Sequence, residues 1–164
     1  VATLERTLVV LKPDAVARGL AGRIIQRFED AGLKIVATKM RELDAEFTRK
    51  HYFDLEERHG KQVYDATAAS MQAGPVIAFV LEGVEAVANV RRLVGGTYPN
   101  EAPPGTIRGD FAHQSKAYCV GLDKAVANLV HASGNADEAK YEVELWFSAD
   151  EQHDYRTLAE PFTF

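Results

Sequence analysis

The chain has 164 residues, 46% hydrophobic and 26% charged, enough for one packed core and outside the disordered and fibrous classes. Its 19 basic and 24 acidic side chains leave a net charge of −5, which gives no general attraction to nucleic acid or anionic lipid. The lone Cys119 cannot form an internal disulfide and no apolar run reaches membrane-spanning length, so a cytoplasmic protein with no nucleic acid and no membrane as partner is expected. Val1-Ala-Thr-Leu-Glu5 lacks the basic start and apolar stretch of a signal peptide, so no leader is expected.

Thr7-Leu-Val-Val-Leu11 is a continuous β-branched apolar run and predicts a central strand, ended by Pro13-Asp14. Leu20, Ile24, Ile25 and Phe28 recur at helical spacing, and Ala31-Gly32 stops that helix. Leu33 to Ala37 predicts a second strand. Asp44 is placed to cap a helix carrying Phe47, His51 and Leu55, and another helix is expected from Val63 to Met71. Gly74-Pro75 opens a strong strand, Val76 to Leu81. Val84 to Val94 reads as helix, and Thr97 to Gly109 as a loop punctuated by proline and glycine. Leu129-Val130 is a short strand end. Asn135 with Glu138 resembles a capping box for a helix from Ala136 to Phe147, and Ser148 with Glu151 opens a last short helix. The order β-α-β-α-α-β-α-loop-β-α predicts an α+β fold with helices packed on one face of a small, largely antiparallel sheet. A ferredoxin-like β-α-β-β-α-β core with extra helices accommodates it.

No Walker-type G-x-x-x-x-G-K-[ST], no G-x-G-x-x-G after a strand, no H-E-x-x-H and no G-x-S-x-G elbow occurs. Three short segments carry chemistry instead. Lys12-Pro-Asp14 follows the first buried strand, where proline can aim a lysine into a cleft; the alternative is a surface lysine at a turn. Arg108, in Thr106-Ile-Arg-Gly-Asp-Phe111, either grips a phosphate or pairs with Asp110. Asn128-Leu-Val-His131-Ala-Ser133 sets an amide before an imidazole at the end of an apolar stretch. Neutral histidine is a good nucleophile toward phosphorus, but a hydrogen-bonded core histidine fits the same pattern. Glu142, in the following helix, either orients that ring or lies on a solvated face. His51 reads as structural, and His59, His113 and His153 as surface residues.

Taken together, Leu11-Lys-Pro-Asp14, Arg18-Gly-Leu20, His51-Tyr52, Ser70 through Gly74-Pro75, Pro104 through Phe111, Asn128-x-x-His131-x-Ser133 and Glu144-Leu-Trp-Phe147 resemble the nucleoside diphosphate kinases. The resemblance runs from Glu5 to Phe164 and implies one such domain over residues 1–164. It implies a ferredoxin-like fold and ping-pong transfer of a γ-phosphate from a nucleoside triphosphate to a nucleoside diphosphate, through a phosphohistidine that falls on His131. On the same resemblance, Lys12 and Asn128 match the sugar and phosphate contacts, and Tyr52 the tyrosine beside the histidine. Arg91, Thr97 and Arg108 match the phosphate-gripping residues, and Ser133 and Glu142 the histidine's supports. It further implies Mg2+ carried on the nucleotide phosphates with no dedicated protein metal site, and a homo-oligomer, a hexamer built from dimers or else a tetramer. An inactive regulatory paralogue of the same fold is the alternative, and a nucleotide- or RNA-binding module without turnover a further one.

Three departures stand out against that pattern. Ala15 replaces a usual glycine, and Gly134 a usual acidic residue. His59-Gly-Lys61 reads as an insertion that moves the base-stacking position to Val63, with Tyr64 as its possible substitute. A further insertion, about His113 to Ala125, is expected to be an ordered excursion at the rim of the base site, strand-like around Tyr118-Cys-Val120.

Overall fold

A computed structural model describes residues 4–164; Val1 to Thr3, part of the segment read for a leader, lie outside the described residues. Four strands, β1 (Leu4–Leu11), β2 (Lys34–Arg41), β3 (Val76–Val84) and β4 (Val130–Ala132), form one sheet in the order β2-β3-β1-β4. Every neighbouring pair is antiparallel, so β3 runs between β1 and β2 as in a split βαβ unit, the ferredoxin-like arrangement.

The helices are α1 (Pro13–Ala17), α2 (Ala21–Asp30), α3 (Ala45–His51), α4 (Leu55–His59), α5 (Lys61–Met71), α6 (Ala86–Val94), α7 (Ile107–Phe111), α8 (Lys116–Gly121), α9 (Ala136–Trp146) and α10 (Glu160–Thr163). They cover both faces of the sheet, which corrects the expectation of one covered face. On the first face Val9, Leu11, Phe79 and Leu81 meet Ile24 and Phe28 of α2 and Val90 and Val94 of α6. On the second, Leu8, Val10, Val36, Ala78 and Val80 meet Met71 of α5 and Val143 and Trp146 of α9, the extra helices. A strand buried on both faces cannot alternate polar and apolar residues, which explains the unbroken Leu8 to Leu11 run.

Several local expectations change. The helix capped by Asp44, whose Oδ1 accepts from the Phe47 amide at 2.7 Å, ends at His51, and Leu55 opens a separate helix. Tyr52, at φ −105° and ψ 41°, breaks the spiral and turns His51 and itself toward β4. Val84 belongs to β3, because Glu85 takes a left-handed conformation (φ 47°) before α6 starts. The Thr97 to Gly109 loop contains a 3₁₀ turn, Pro99–Glu101, and the start of α7. Asn135 caps α9, but Glu138 reaches past it to the Gly134 amide at 2.9 Å; a Cβ at Gly134 would sit 2.6 Å from that carboxylate. The Ser148-Glu151 capping box is present on a 3₁₀ turn, Ala149–Glu151.

The segment expected to be strand-like around Tyr118 is α8. Ser115 caps it, accepting from the Tyr118 amide at 3.2 Å, and among the described residues no strand pairs with the segment. Local capping bonds therefore decide its conformation. The excursion lies at the cleft, and of its four apolar residues Cys119 is buried, while Tyr118, Val120 and Leu122 stay exposed.

Candidate active site

The site is assembled where β1, β4, α3 and α9 meet. Val130 and Ala132 point into the first core cluster, so by strand alternation His131 points to the opposite face, toward α9. There its Nε2 lies 2.9 Å from Glu142 Oε1, and Glu142 Oε2 accepts from Ser133 Oγ at 2.6 Å. Ser133 in turn accepts from the Leu8 amide at 3.3 Å, which ties the carboxylate to the central strand. Burial pushes the Glu142 carboxyl up, but the His131 ring, His51 and the Ser133 hydroxyl outweigh it and hold the group down at about 2. An ionised carboxylate only accepts, so Nε2 of His131 carries a proton, and in the neutral ring Nδ1 is the nitrogen with the lone pair.

The chain enters β4 through a strained turn. Leu129, fully buried, has φ 72°, and the Val130 amide donates to the Asn128 carbonyl at 2.8 Å, closing a γ-turn. A bulky residue in this region costs about 1–3 kcal/mol and persists only where its neighbours over-determine it. Here they do: the Leu129 amide donates to Asp14 Oδ2 at 3.0 Å and its carbonyl accepts from the Lys12 amide at 2.9 Å. The turn sets Asn128 and His131 beside Lys12. Lys12 Nζ donates to Asn128 Oδ1 at 2.9 Å and to the Val126 carbonyl at 3.1 Å, and Asn128 Nδ2 donates to the Thr97 carbonyl at 2.9 Å. Burial draws the Lys12 ammonium down to about 8, the nearby Asp14 raising it and Arg108 lowering it further.

Arg108 is buried and donates to three carbonyls: Asn128 at 3.1 Å, Val130 at 2.6 Å and Gly95 at 3.1 Å. The pairing with Asp110 that its sequence position allowed does not occur; Asp110 bonds Arg27 and the Gly105 amide. Gly109 makes the turn possible, because a Cβ there would strike the Pro103 carbonyl. A guanidinium has five N–H donors, so Arg108 anchors the β4 entry and keeps donors for a ligand. Burial lowers its pKa to about 10, with Arg91 contributing next.

Lys12, Tyr52, Val63, Thr97, Arg108, Asn128 and His131 line one cleft of about 580 Å³. Leu55, Ala66 and Val120 add apolar wall, and Lys116 and Lys124 of the inserted segment add positive charge. Ser133 and Glu142 stand behind the histidine. Arg91 is exposed and outside the cleft lining, its Nη1 3.5 Å from the Ala132 carbonyl. Tyr64 cannot replace Val63 as the stacking residue: it is buried, with the Arg49 guanidinium 3.5 Å from its ring centre. His59, read as a surface residue, lines the cleft, as do Gln62 and Asp123, which bond each other at 2.6 Å.

His51 is the residue that sequence reasoning under-read. Its ring centre lies 4.4 Å from that of His131, edge to face, and its Nδ1 accepts from Trp146 Nε1 at 3.0 Å. The adjacent Tyr52 and the buried Trp146 were both among the resemblance motifs, but nothing in their spacing joins them. Ligand atoms of His51, His131 and Glu142 lie within 4.8 Å of one another, close enough for a metal. Hydrogen bonds already engage them, from Trp146 to His51 and from His131 to Glu142.

A family model described as nucleoside diphosphate kinase matches residues 5–152. The chain belongs to the nucleoside diphosphate kinase family. It is 42% identical to the nucleoside diphosphate kinase of Borreliella burgdorferi over 93% of each chain, and 45% identical to that of Pyrococcus furiosus over 97% of this chain and 92% of the relative. Among solved structures it resembles a transition-state mimic of the Borrelia burgdorferi kinase with bound vanadate and ADP: TM-score 0.95, 41% identity, 98% of this chain and 96% of that one covered. It also resembles a Halobacterium salinarum kinase in complex with CDP: TM-score 0.85, 37% identity, 99% of each chain covered. The protein is thus a nucleoside diphosphate kinase, moving a γ-phosphate between nucleotides, and it has the family's ferredoxin-like fold. Among the described residues no helix of this kinase is long and apolar enough to cross a membrane.

Proposed function

We propose that the transfer runs through a phosphohistidine on Nδ1 of His131, within a single catalytic domain spanning residues 1–164. The observation that carries this reading is the 2.9 Å bond from His131 Nε2 to a Glu142 carboxylate that Ser133 holds from behind. It leaves Nδ1 as the free nucleophile and puts a negative charge where imidazolium character develops. Nδ1 attacks the γ-phosphorus in line; the N–P bond forms as the bond to the β-γ bridging oxygen breaks, and that electron pair leaves with the nucleoside diphosphate. A second nucleoside diphosphate reverses the step. Lys12, Arg108 and Tyr52, a phenol that burial keeps protonated, supply donors to the transferring oxygens. Thr97 and Arg91 extend the phosphate cradle, Asn128 orients Lys12, and Val63 lies against the base.

Mg2+ is proposed to arrive on the nucleotide phosphates. It requires an octahedral set of oxygens, and among the described residues the one metal-competent cluster is nitrogen-rich and already hydrogen-bonded, which fits an ion held by substrate. When bound it would supply positive charge that offsets the charge of the phosphates. A homo-oligomer, hexameric or else tetrameric, is supported by the edge position of β2, with Met40 exposed on it. A reducing, cytoplasmic compartment is supported by the lone buried Cys119.

The test is incubation with γ-labelled ATP. One acid-labile, base-stable label per chain is expected, removable by ADP, GDP or CDP alike. Transfer without any protein-bound label would replace this reading with direct transfer, and neither label nor transfer would leave the inactive paralogue.

The Lys12 environment predicts a pH dependence. In the free protein its ammonium deprotonates near 8, below the usual lysine range, and only the charged form attracts phosphate. Affinity for ADP should therefore hold up to neutral pH and fall about tenfold by about pH 9. Calorimetric titration across that range checks it; an affinity flat to about pH 10 contradicts the role given to Lys12.

A further inference from the structure

We infer that His51 is a positioning residue for phosphoryl transfer, acting with Trp146 to reserve the Glu142 carboxylate for His131. The inference rests on the reading of His131 as the phosphoacceptor. His51 Nδ1 lies 3.9 Å from Glu142 Oε1, the same oxygen that His131 Nε2 holds at 2.9 Å. A protonated His51 Nδ1 at that distance would compete for this oxygen. Trp146 prevents it: an indole N–H only donates, so its 3.0 Å bond requires Nδ1 of His51 to be an acceptor. The proton of neutral His51 is then on Nε2, which is buried with no partner among the described residues.

That unpartnered group carries a desolvation cost, which marks the arrangement as one that packing alone would not select. Burial disfavours the charged ring, with the neighbouring His131 acting in the same direction and Glu142 opposing. The second effect is steric. One hydrogen bond through Nε2 leaves the His131 ring free to pivot. The His51 ring packs at 76° to it, 4.4 Å between centres, and limits that pivot so that Nδ1 keeps one direction.

The test uses the full chain and compares single-turnover phosphorylation of His131 by ATP with ADP affinity. His51→Phe keeps an aromatic ring but removes the acceptor. His51→Asn places an oxygen near the Nδ1 position, and Trp146→Phe removes the donor. His51→Phe and Trp146→Phe should each slow phosphorylation at saturating ATP tenfold or more, leaving ADP affinity within twofold. His51→Asn should recover at least half of the loss on a logarithmic scale, and the double variant His51→Phe/Trp146→Phe should be no slower than the worse single variant.

Unchanged phosphorylation rates overturn the inference, as do parallel losses of rate and affinity, or a double variant whose losses multiply. If His51→Phe does not fold, His51→Asn and Trp146→Phe decide the matter. A fast Trp146→Phe overturns the proposal, and a slow one beside a near-normal His51→Asn supports it. Failure of the underlying reading is separate: the wild-type protein would then take no acid-labile label.

Discussion

Replacement of His131 by alanine is expected to abolish both label uptake from ATP and transfer to a second nucleotide, by at least about 10⁴-fold, while the fold survives. The size follows from the chemistry. In a two-step transfer the nucleophile takes part in both halves, and His131 is the cleft imidazole bonded to the Glu142 carboxylate, whereas His59, which also lines the cleft, is exposed. His51 is buried with its Nδ1 engaged by Trp146, and the Lys12 ammonium is bonded to Asn128 and Val126. Survival of the fold follows from the packing. His131 is only partly buried, and Glu142 keeps its bond from Ser133 after the ring is gone. The check is label per chain together with the thermal midpoint. Wild-type labelling of His131→Ala would remove His131 from the mechanism.

Arg108→Ala is expected to lose stability as well as activity, by about 3–5 kcal/mol, because it strips charged donors from the Asn128, Val130 and Gly95 carbonyls. The Asn128 and Val130 carbonyls bracket the strained Leu129 turn, so the strain loses one of its restraints and the β4 entry should loosen. A residue that only gripped phosphate would behave in the opposite way, since removing buried charge near Lys12 and Arg91 relieves repulsion. Arg108→Lys should fall between, because one ammonium cannot reproduce a fork that reaches three carbonyls. Urea unfolding without nucleotide measures the effect. Unchanged stability of Arg108→Ala would confine its role to the ligand.

What could be read from the sequence was what neighbouring residues decide among themselves. The β-branched run before Lys12 marked β1, because a strand buried on two faces needs apolar side chains at successive positions. Asp44 announced the start of α3 because an N-cap bond closes within one turn. Asn128, His131 and Ser133 lie on one short stretch, and Lys12 follows a strand, so their segments could be recognised from spacing and resemblance. The Tyr118 segment shows the limit. Its composition suits strand or helix, and the outcome turned on a serine cap and on the absence of a strand beside it.

The remaining features depend on which groups arrive from distant parts of the chain. His51 is 95 positions from the tryptophan that sets its tautomer, and only the packing of α3 on α9 brings them together. Val63 and Tyr64 are adjacent, and the rotation of α5 alone sends one to the cleft and the other under Arg49. Arg108 looked like a phosphate grip in the sequence and is also a structural anchor, because its guanidinium reaches carbonyls 13, 20 and 22 residues away. Local pattern determined the elements and the identity of the chemical groups. Tertiary packing decided their ionisation, tautomer and direction, because those depend on desolvation and on partners that no short window of sequence contains.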